Sequence, residues 1–214
     1  MAKRHVRASV IGVAESDLGV SPPGTTPIDL MAQASIRALD DAGFTLADVD
    51  GLFVATAQAR FGPMVLAEYL GIAPKVFDGT QVGGSSFMSH LAHALLAIEA
   101  GQCEVALIAY GSTQRSVSRS QASPPDFNPY EAPFKPMLPV AAYAMAAGRH
   151  MHEFGTTREH LAEVAVAARN WALLNSKAWE KEPLSVQDVL SARMVADPLS
   201  VRDCCLVLDG GGAM

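Results

Sequence analysis

One segment constrains this chain more than any other. Residues 85–100 have helical character but almost no polar face: Phe87, Met88, Leu91, Ala92, Ala94, Leu95 and Ile98 spread around the whole circumference. A helix that is apolar nearly all round is a buried helix. It is entered through Val82-Gly83-Gly84-Ser85-Ser86 and ended by Gly101. After it comes Glu104–Tyr110 (EVALIAY), the strongest strand pattern in the chain. A strand candidate at 75–80 precedes the glycines, so the unit reads strand, glycine turn, buried helix, strand.

The same alternation runs through the first half. Val6–Ala14 is rich in Val and Ile and reads as a buried strand. Gly19, Pro22, Pro23 and Gly24 make 18–25 a loop. Thr26, Pro27 and Asp29 carry the marks of a helix start, and Gly43 those of a C-terminal cap. Between them Ile28, Met31, Ala32, Ile36 and Leu39 form the expected core stripe. Val49–Ala55 is a second strand, and Met64–Leu70 a short helix stopped by Gly71. Strands alternating with helices predict an α/β unit with a largely parallel sheet.

The texture changes after Gly111. Prolines at 124, 125, 129, 133, 136 and 139 exclude interior helix or strand and predict an extended excursion of functional or interchain role. Val140–Phe154 then reads as a helix closed by Gly155. Thr156-Thr157-Arg158-Glu159 resembles a capping box opening a helix through Leu174, with a core stripe of Leu161, Val164, Ala165, Ala168 and Ala172. Ser185–Asp188 opens a short helix ending near Ser191. Asp203–Leu208 is the last strand candidate, before the turn Asp209-Gly210-Gly211-Gly212.

Composition removes several function classes. The chain has 214 residues, half of them hydrophobic, which is enough for a core. Net charge is −6 with no Lys/Arg cluster, which argues against a nucleic-acid or anionic-membrane surface. Three cysteines exclude a disulfide scaffold and fit a reducing compartment. No stretch approaches the roughly 20 apolar residues of a membrane span. Lys3, Arg4 and Arg7 before Ala8–Ala14 briefly imitate a signal peptide, but Glu15 and Asp17 end the run; a first strand and a cytoplasmic location are expected.

The turn 82–86 is the main candidate for chemistry. Its glycines let a backbone approach a ligand closely, and the helix start offers unpaired N–H groups and partial positive charge. That setting binds an anion or favours a nucleophile's negative form. The bland reading is a glycine turn capped by Ser85 or Ser86. Ser86/His90 and Ser89/His93 are each spaced four apart on one face, the minimum for an activated hydroxyl, although hydrogen-bonded buried histidines are the simpler expectation. His150 and His152 point to different sides of a helix, so no metal site is expected. Cys204-Cys205 would be small buried hydrophobes facing opposite ways in a strand, and Cys103 has no visible activating partner. The P-loop and the dinucleotide fingerprint are absent.

Taken in order, several pieces resemble the thiolase superfamily, in its sterol-carrier or lipid-transfer-protein branch. They are Ala8–Glu15 (ASVIGVAE), Asp48–Ala55 (DVDGLFVA), Gly83–Gly111 with Ile98-Glu-Ala-Gly101, Met151-His-Glu-Phe-Gly155, Asn175-Ser-Lys-Ala178, Ala196-Asp-Pro-Leu199, and Asp203-Cys-Cys205 to Asp209-Gly-Gly211. The resemblance covers essentially the whole chain and matches the N-terminal half of such a protein. It implies an α/β thiolase-like N-terminal half, with a three-layer α/β/α sheet core (1–112 and 195–214), a Pro-rich and helical excursion (113–194), and helix 85–100 in the middle layer. In the family the nucleophilic cysteine sits at the start of that helix, while the catalytic histidine and a second cysteine belong to the other half. Counted back from Ile98-Glu-Ala-Gly101, the nucleophile's position falls on Gly84, with Ser85 and Ser86 beside it and no cysteine near.

The resemblance therefore implies an acyl-CoA carbon–carbon bond enzyme of lipid or steroid catabolism, acetyl-CoA acetyltransferase-like, lacking its cysteine and needing a second half. The alternative is a retro-aldolase component acting on steroid side-chain CoA esters, with a small OB-fold partner protein. There Gly83–Ser86 would offer backbone N–H groups to a carbonyl oxygen. A non-catalytic acyl-CoA-binding or structural subunit is a further alternative, as is a truncated product with an uncovered face. Coenzyme A thioester enters as substrate, no cofactor is bound covalently, and the expected oligomer is a dimer.

Overall fold

The computed structural model describes residues 8–117 and 128–214. They fall into two compact units, one within Met1–Pro124 and Val207–Met214, the other within Pro125–Leu206.

The first unit is a three-layer α/β/α sandwich. Its strands are β1 (Ala14–Glu15), β2 (Gly51–Val54), β3 (Val76–Asp78), β4 (Ala106–Ser112) and β7 (Gly210–Ala213). They form one sheet in the order β1-β7-β4-β2-β3. β2 runs parallel to both β3 and β4, whereas β7 is antiparallel to β4 and β1. Helices α1 (Pro27–Ala42) and α2 (Gly62–Leu70) cover one face, and α3 (Ser86–Glu99) the other. Alternation along the strands divides the core accordingly. Leu52, Val54, Leu107, Ala109 and Ala213 meet Met31, Ala34, Ala38 and Leu66. Phe53 and Ile108 meet Ala94, Ala97 and Cys103 on the other side.

α1 starts as its residues dictate. The Thr26 side chain accepts the Asp29 N–H, the Asp29 carboxylate accepts the Thr26 N–H, and Gly43 closes the helix at φ 72°. Ile28, Met31, Ala32 and Leu39 are buried as expected, but Ile36 is exposed; the buried stripe runs instead through Ala34, Ser35 and Ala38. These small residues let α1 press on the sheet. A Cβ at Gly111 would lie 2.4 Å from Pro27 O, one at Gly12 2.2 Å from Ala38 O, and one at Gly211 2.5 Å from Tyr110 O.

That close approach explains the main corrections to the strand assignments. Asp203–Leu208 is not a strand: Leu206 and Val207 are exposed and the chain turns at 201–204. The sheet instead takes Gly210–Ala213, where the backbone of β4 and α1 closes on Gly211 and Leu18 closes on Gly210, leaving no room for a side chain at either. Val6–Ala14 contributes only its last residue to β1, which ends at Glu15; residues 6 and 7 lie outside the described residues, and 8–13 carry no ladder. The remaining three strand candidates are in place.

Two carboxylates tie the loops down. Asp50 accepts the N–H groups of Glu104 and Val105 at 2.8 Å and the Lys75 ammonium at 3.0 Å. Asp209, 1% exposed, accepts from the N–H groups of Ser21 (2.8 Å), Arg115 (2.7 Å) and Ser116 (3.0 Å), and from the Ser116 hydroxyl. Burial pushes its pKa up, but the bonds from Ser116, Ser21 and Arg115 outweigh it and hold the carboxyl below the usual range.

The second unit carries α4 (Val140–Phe154), α5 (Arg158–Leu174), α6 (Val186–Leu190) and a two-stranded ribbon of β5 (Met194–Ala196) and β6 (Leu199–Ser200). The ribbon was not foreseen, since three-residue strands carry little periodicity. Of the Pro-rich stretch, 118–127 lies outside the described residues, and 128–139 is irregular apart from a 3-10 turn at Ala132–Phe134. At α5 the N-cap is Thr157, so the box partner is His160, whose Nδ1 accepts the Thr157 N–H, while the Thr157 hydroxyl also bonds the Glu159 carboxylate. The expected α5 stripe is largely unburied: Val164 and Ala168 are exposed and only Ala162 is fully covered. Cys204 is half-buried and Cys205 exposed, in irregular chain rather than a strand.

Two outcomes are expected in urea titrations. Gly211→Ala destabilises by about 3 kcal/mol, because its methyl meets backbone on both sides. Asp209→Asn costs about 2 kcal/mol at neutral pH. The folded-state pKa of Asp209 lies below its unfolded value, so its contribution is complete above the unfolded pKa and is lost as pH falls through the folded one. The wild type therefore loses stability on acidification more steeply than Asp209→Asn does.

Candidate active-site turn

The turn between β3 and α3 is built by its own side chains. Gly83 adopts φ 74°, the left-handed region where glycine is favoured. Ser86, fully buried, donates its hydroxyl to Gly83 O at 2.6 Å and accepts the Val82 N–H at 3.0 Å. Asp78 accepts the Thr80 N–H at 2.7 Å and is paired with His93 Nδ1. His90 donates from Nε2 to Thr80 O at 2.9 Å, while its buried Nδ1 has no partner. Two histidines one helical turn apart on α3 thus pin the loop 78–80. His90 is packed between Phe53 and the edge of Phe87, with ring centroids 6.1 and 6.0 Å away. Burial pushes the Asp78 pKa up, but the bonds from Thr80 and His93 outweigh it and hold the carboxyl below the ordinary range.

The candidate residues divide clearly. Gly84 and Ser85 are exposed at the start of α3, whereas Ser86 is buried and engaged. The Ser86/His90 and Ser89/His93 spacings do not become nucleophile–base pairs, because both histidines bond to the 78–80 loop instead. Gly84 lies outside the left-handed region, and a Cβ there would have nothing within 4 Å. The thiols are elsewhere. Cys103 is buried beyond the far end of α3, and burial raises its pKa; burial raises that of Cys204 as well. Among the described residues no cluster of His, Cys, Asp and Glu is placed to hold a metal ion, and no helix is long and apolar enough to cross a membrane.

α3 itself departs from expectation. Its buried stripe is only Ser86, His90, Ala94 and Ala97, and Met88, Leu95 and Leu96 are exposed. The sequence makes every face apolar, and within the first unit the described residues of the sheet pack against the face carrying Ala94 and Ala97. Asp78 and Thr80 were the polar residues of this site that sequence patterning missed; their roles depend on the bend after β3, which has no local pattern.

No protein-family model matches the chain. It is 30% identical over 219 residues to a steroid side-chain-cleaving aldolase of Thermomonospora curvata, covering 97% of this chain and 56% of that protein. It is 29% identical to an acetyl-CoA acetyltransferase of Methanothermobacter thermautotrophicus, covering 96% and 55%. Among solved structures, an Ltp2-ChsH2(DUF35) aldolase superposes with a TM-score of 0.82 at 30% identity, over 97% of this chain and 54% of that one. In sequence and fold the chain is similar to thiolase-superfamily proteins of the sterol-carrier type. It spans about half the length of the curated relatives it matches.

The thiolase-like turn makes two side-chain predictions. Gly84→Cys folds with a stability change within about 1 kcal/mol, since neither backbone nor space demands glycine, and its thiol reacts with iodoacetamide faster than Cys103. Ser86→Ala costs about 2 kcal/mol in urea by stranding the Val82 N–H, while Ser85→Ala is near neutral.

Proposed function

We propose that this thiolase-like chain is one half of a CoA-thioester carbon–carbon bond enzyme of lipid or steroid catabolism, and that its reaction is retro-aldol cleavage of a β-hydroxyacyl-CoA. One observation carries the choice over acyl transfer. The turn that would bear a nucleophile offers exposed backbone at Gly84, and its buried hydroxyl, Ser86, is committed to two hydrogen bonds. Serine without a base is a poor nucleophile, whereas a retro-aldol step needs no covalent intermediate.

A base from the second half takes the proton of the β-hydroxyl. The Cα–Cβ bond breaks, the hydroxyl carbon leaves as a ketone or aldehyde, and the electron pair passes to the thioester as an enolate. Protonation at Cα releases the shortened acyl-CoA. The chain's contribution is electrostatic: the N–H groups of Gly84 and Ser85, at the positive end of α3, receive the developing oxyanion. Coenzyme A is part of the substrate, and no covalently bound cofactor is required. The names of two relatives, an aldolase and an Ltp2-ChsH2(DUF35) aldolase, support the reading and suggest a further small partner protein. A dimer is the expected oligomer.

Acyl transfer is the second reading, favoured by the acetyltransferase relative. The complete assembly is incubated with a β-hydroxyacyl-CoA, and separately with a 3-ketoacyl-CoA plus free coenzyme A. The first mixture is expected to yield a carbonyl product and shortened acyl-CoA, the second no acetyl-CoA. The reverse pattern establishes acyl transfer, and tight acyl-CoA binding with neither reaction leaves a binding subunit.

A further inference from the structure

Cys204 and Cys205 are neighbours in the chain and belong to no helix or strand. Cys204 is half-buried and Cys205 exposed, whereas the third thiol, Cys103, is 2% exposed in the first unit. A strand would point adjacent side chains to opposite faces. The irregular chain here instead sets both cysteines along one groove of about 470 Å³ within the second unit, whose other walls include Leu161, Val164, Trp179 and Leu199. The turn before them is fixed: Asp203 donates its N–H to Ser200 O at 3.1 Å, and its carboxylate accepts the Ser200 N–H at 2.6 Å. After it the chain is loose. Among the described residues, 204–208 make no backbone–backbone hydrogen bond.

We propose that Cys204 and Cys205 form a peroxide-responsive modification site, at which the two thiols close a disulfide between neighbouring residues. Cys205, being exposed, reacts first. Its sulfur takes one oxygen of hydrogen peroxide as the O–O bond breaks, and the other oxygen leaves as hydroxide, which the thiol proton converts to water. The Cys204 sulfur then attacks the sulfenic sulfur. The S–S bond forms, the S–O bond breaks, and the second water leaves with the Cys204 proton. Two thiols are oxidised and one peroxide is reduced to two waters. Burial pushes the Cys204 pKa up, and Asp203 and Cys205 add to the effect, so Cys204 is a poor first nucleophile. Its half-burial also shields it from thiols of other molecules, while its partner is the next residue. Adjacent Cα atoms lie about 3.8 Å apart, closer than the roughly 4.4–6.8 Å of ordinary disulfides, so ring closure needs the backbone to adjust. The unbonded segment 204–208 permits that adjustment. The strain that remains makes the bond easy to reduce, as suits a reversible site rather than a structural one. The site is independent of the proposed reaction.

Peptide mass mapping tests it. The folded chain is treated with equimolar hydrogen peroxide, quenched with catalase, alkylated with iodoacetamide under denaturing conditions and digested with trypsin, which cuts after Arg202. The peptide that begins at Asp203 is expected to be about 2 Da lighter than its dithiol form, with no alkyl group, and to take up two alkyl groups after dithiothreitol. The peptide carrying Cys103 is alkylated in full. In Cys204→Ser, Cys205 stops at the sulfenic acid and is trapped by dimedone. In Cys205→Ser, oxidation of Cys204 is roughly tenfold slower than that of Cys205 in Cys204→Ser. Trp179 gives a second readout: in a Trp171→Phe background its fluorescence falls on oxidation and returns on reduction, because a disulfide formed on the same groove quenches the indole. Chains linked to one another, a sulfinic acid at Cys205 of the wild type, oxidation of Cys103 at the same rate, or no change in mass each overturns the proposal.

Discussion

The contact on which the rest of the structure depends is that of the α1 backbone with the sheet beneath it. Gly12, Gly111 and Gly211 lie where a methyl group would meet helix or strand backbone. The lack of side chains at two strand positions, Gly111 and Gly211, and at Gly12 ahead of β1 lets α1 sit directly on β4 and β7, and lets β7 lie between β4 and β1 as a glycine-rich strand. Glycine is a poor strand former in isolation, with more backbone entropy to lose and no side chain to pack. Its presence here is compensated by close packing, and by Asp209, whose carboxylate gathers the N–H groups of Ser21, Arg115 and Ser116 just before β7 begins.

From that base the site follows. With β4 fixed under α1, α3 packs on the opposite face through Ala94 and Ala97, and its N-terminus is brought to the loop after β3. The polar side chains of α3 hold that loop: Ser86 at Val82 and Gly83, His90 at Thr80, His93 at Asp78. Residues that looked in the sequence like a hydroxyl–imidazole pair are spent on shaping a backbone turn. Positioned N–H groups stabilise developing negative charge well because they need no reorganisation when it appears, so a stiff turn without a nucleophile is chemically consistent with thioester enolate formation.

Three apolar features share one character. Met88 and Leu96 on α3, Val164 on α5, and Val10, Ile11 and Val13 ahead of β1 are apolar by pattern yet exposed. Exposed apolar side chains of this size are thus found in both units.

The sequence alone determined the helices, because each carries its own marks. Thr26-Pro27 and Gly43, Gly71, Gly101, Val140–Gly155 and Ser185–Asp188 are local choices whose energetics do not depend on distant residues. Three strands, the α/β class and the glycine turn were legible for the same reason, and ordered motifs made the thiolase likeness readable. Tertiary structure decided what local pattern does not encode. It set Gly210–Ala213 in the sheet in place of the more apolar 203–208, because available space and not strand propensity governs packing under α1. It exposed Ile36, Val164 and Met88, because burial depends on what lies opposite. It turned His90 and His93 toward residues 78–80, since only the folded chain brings the end of β3 beside the second turn of α3.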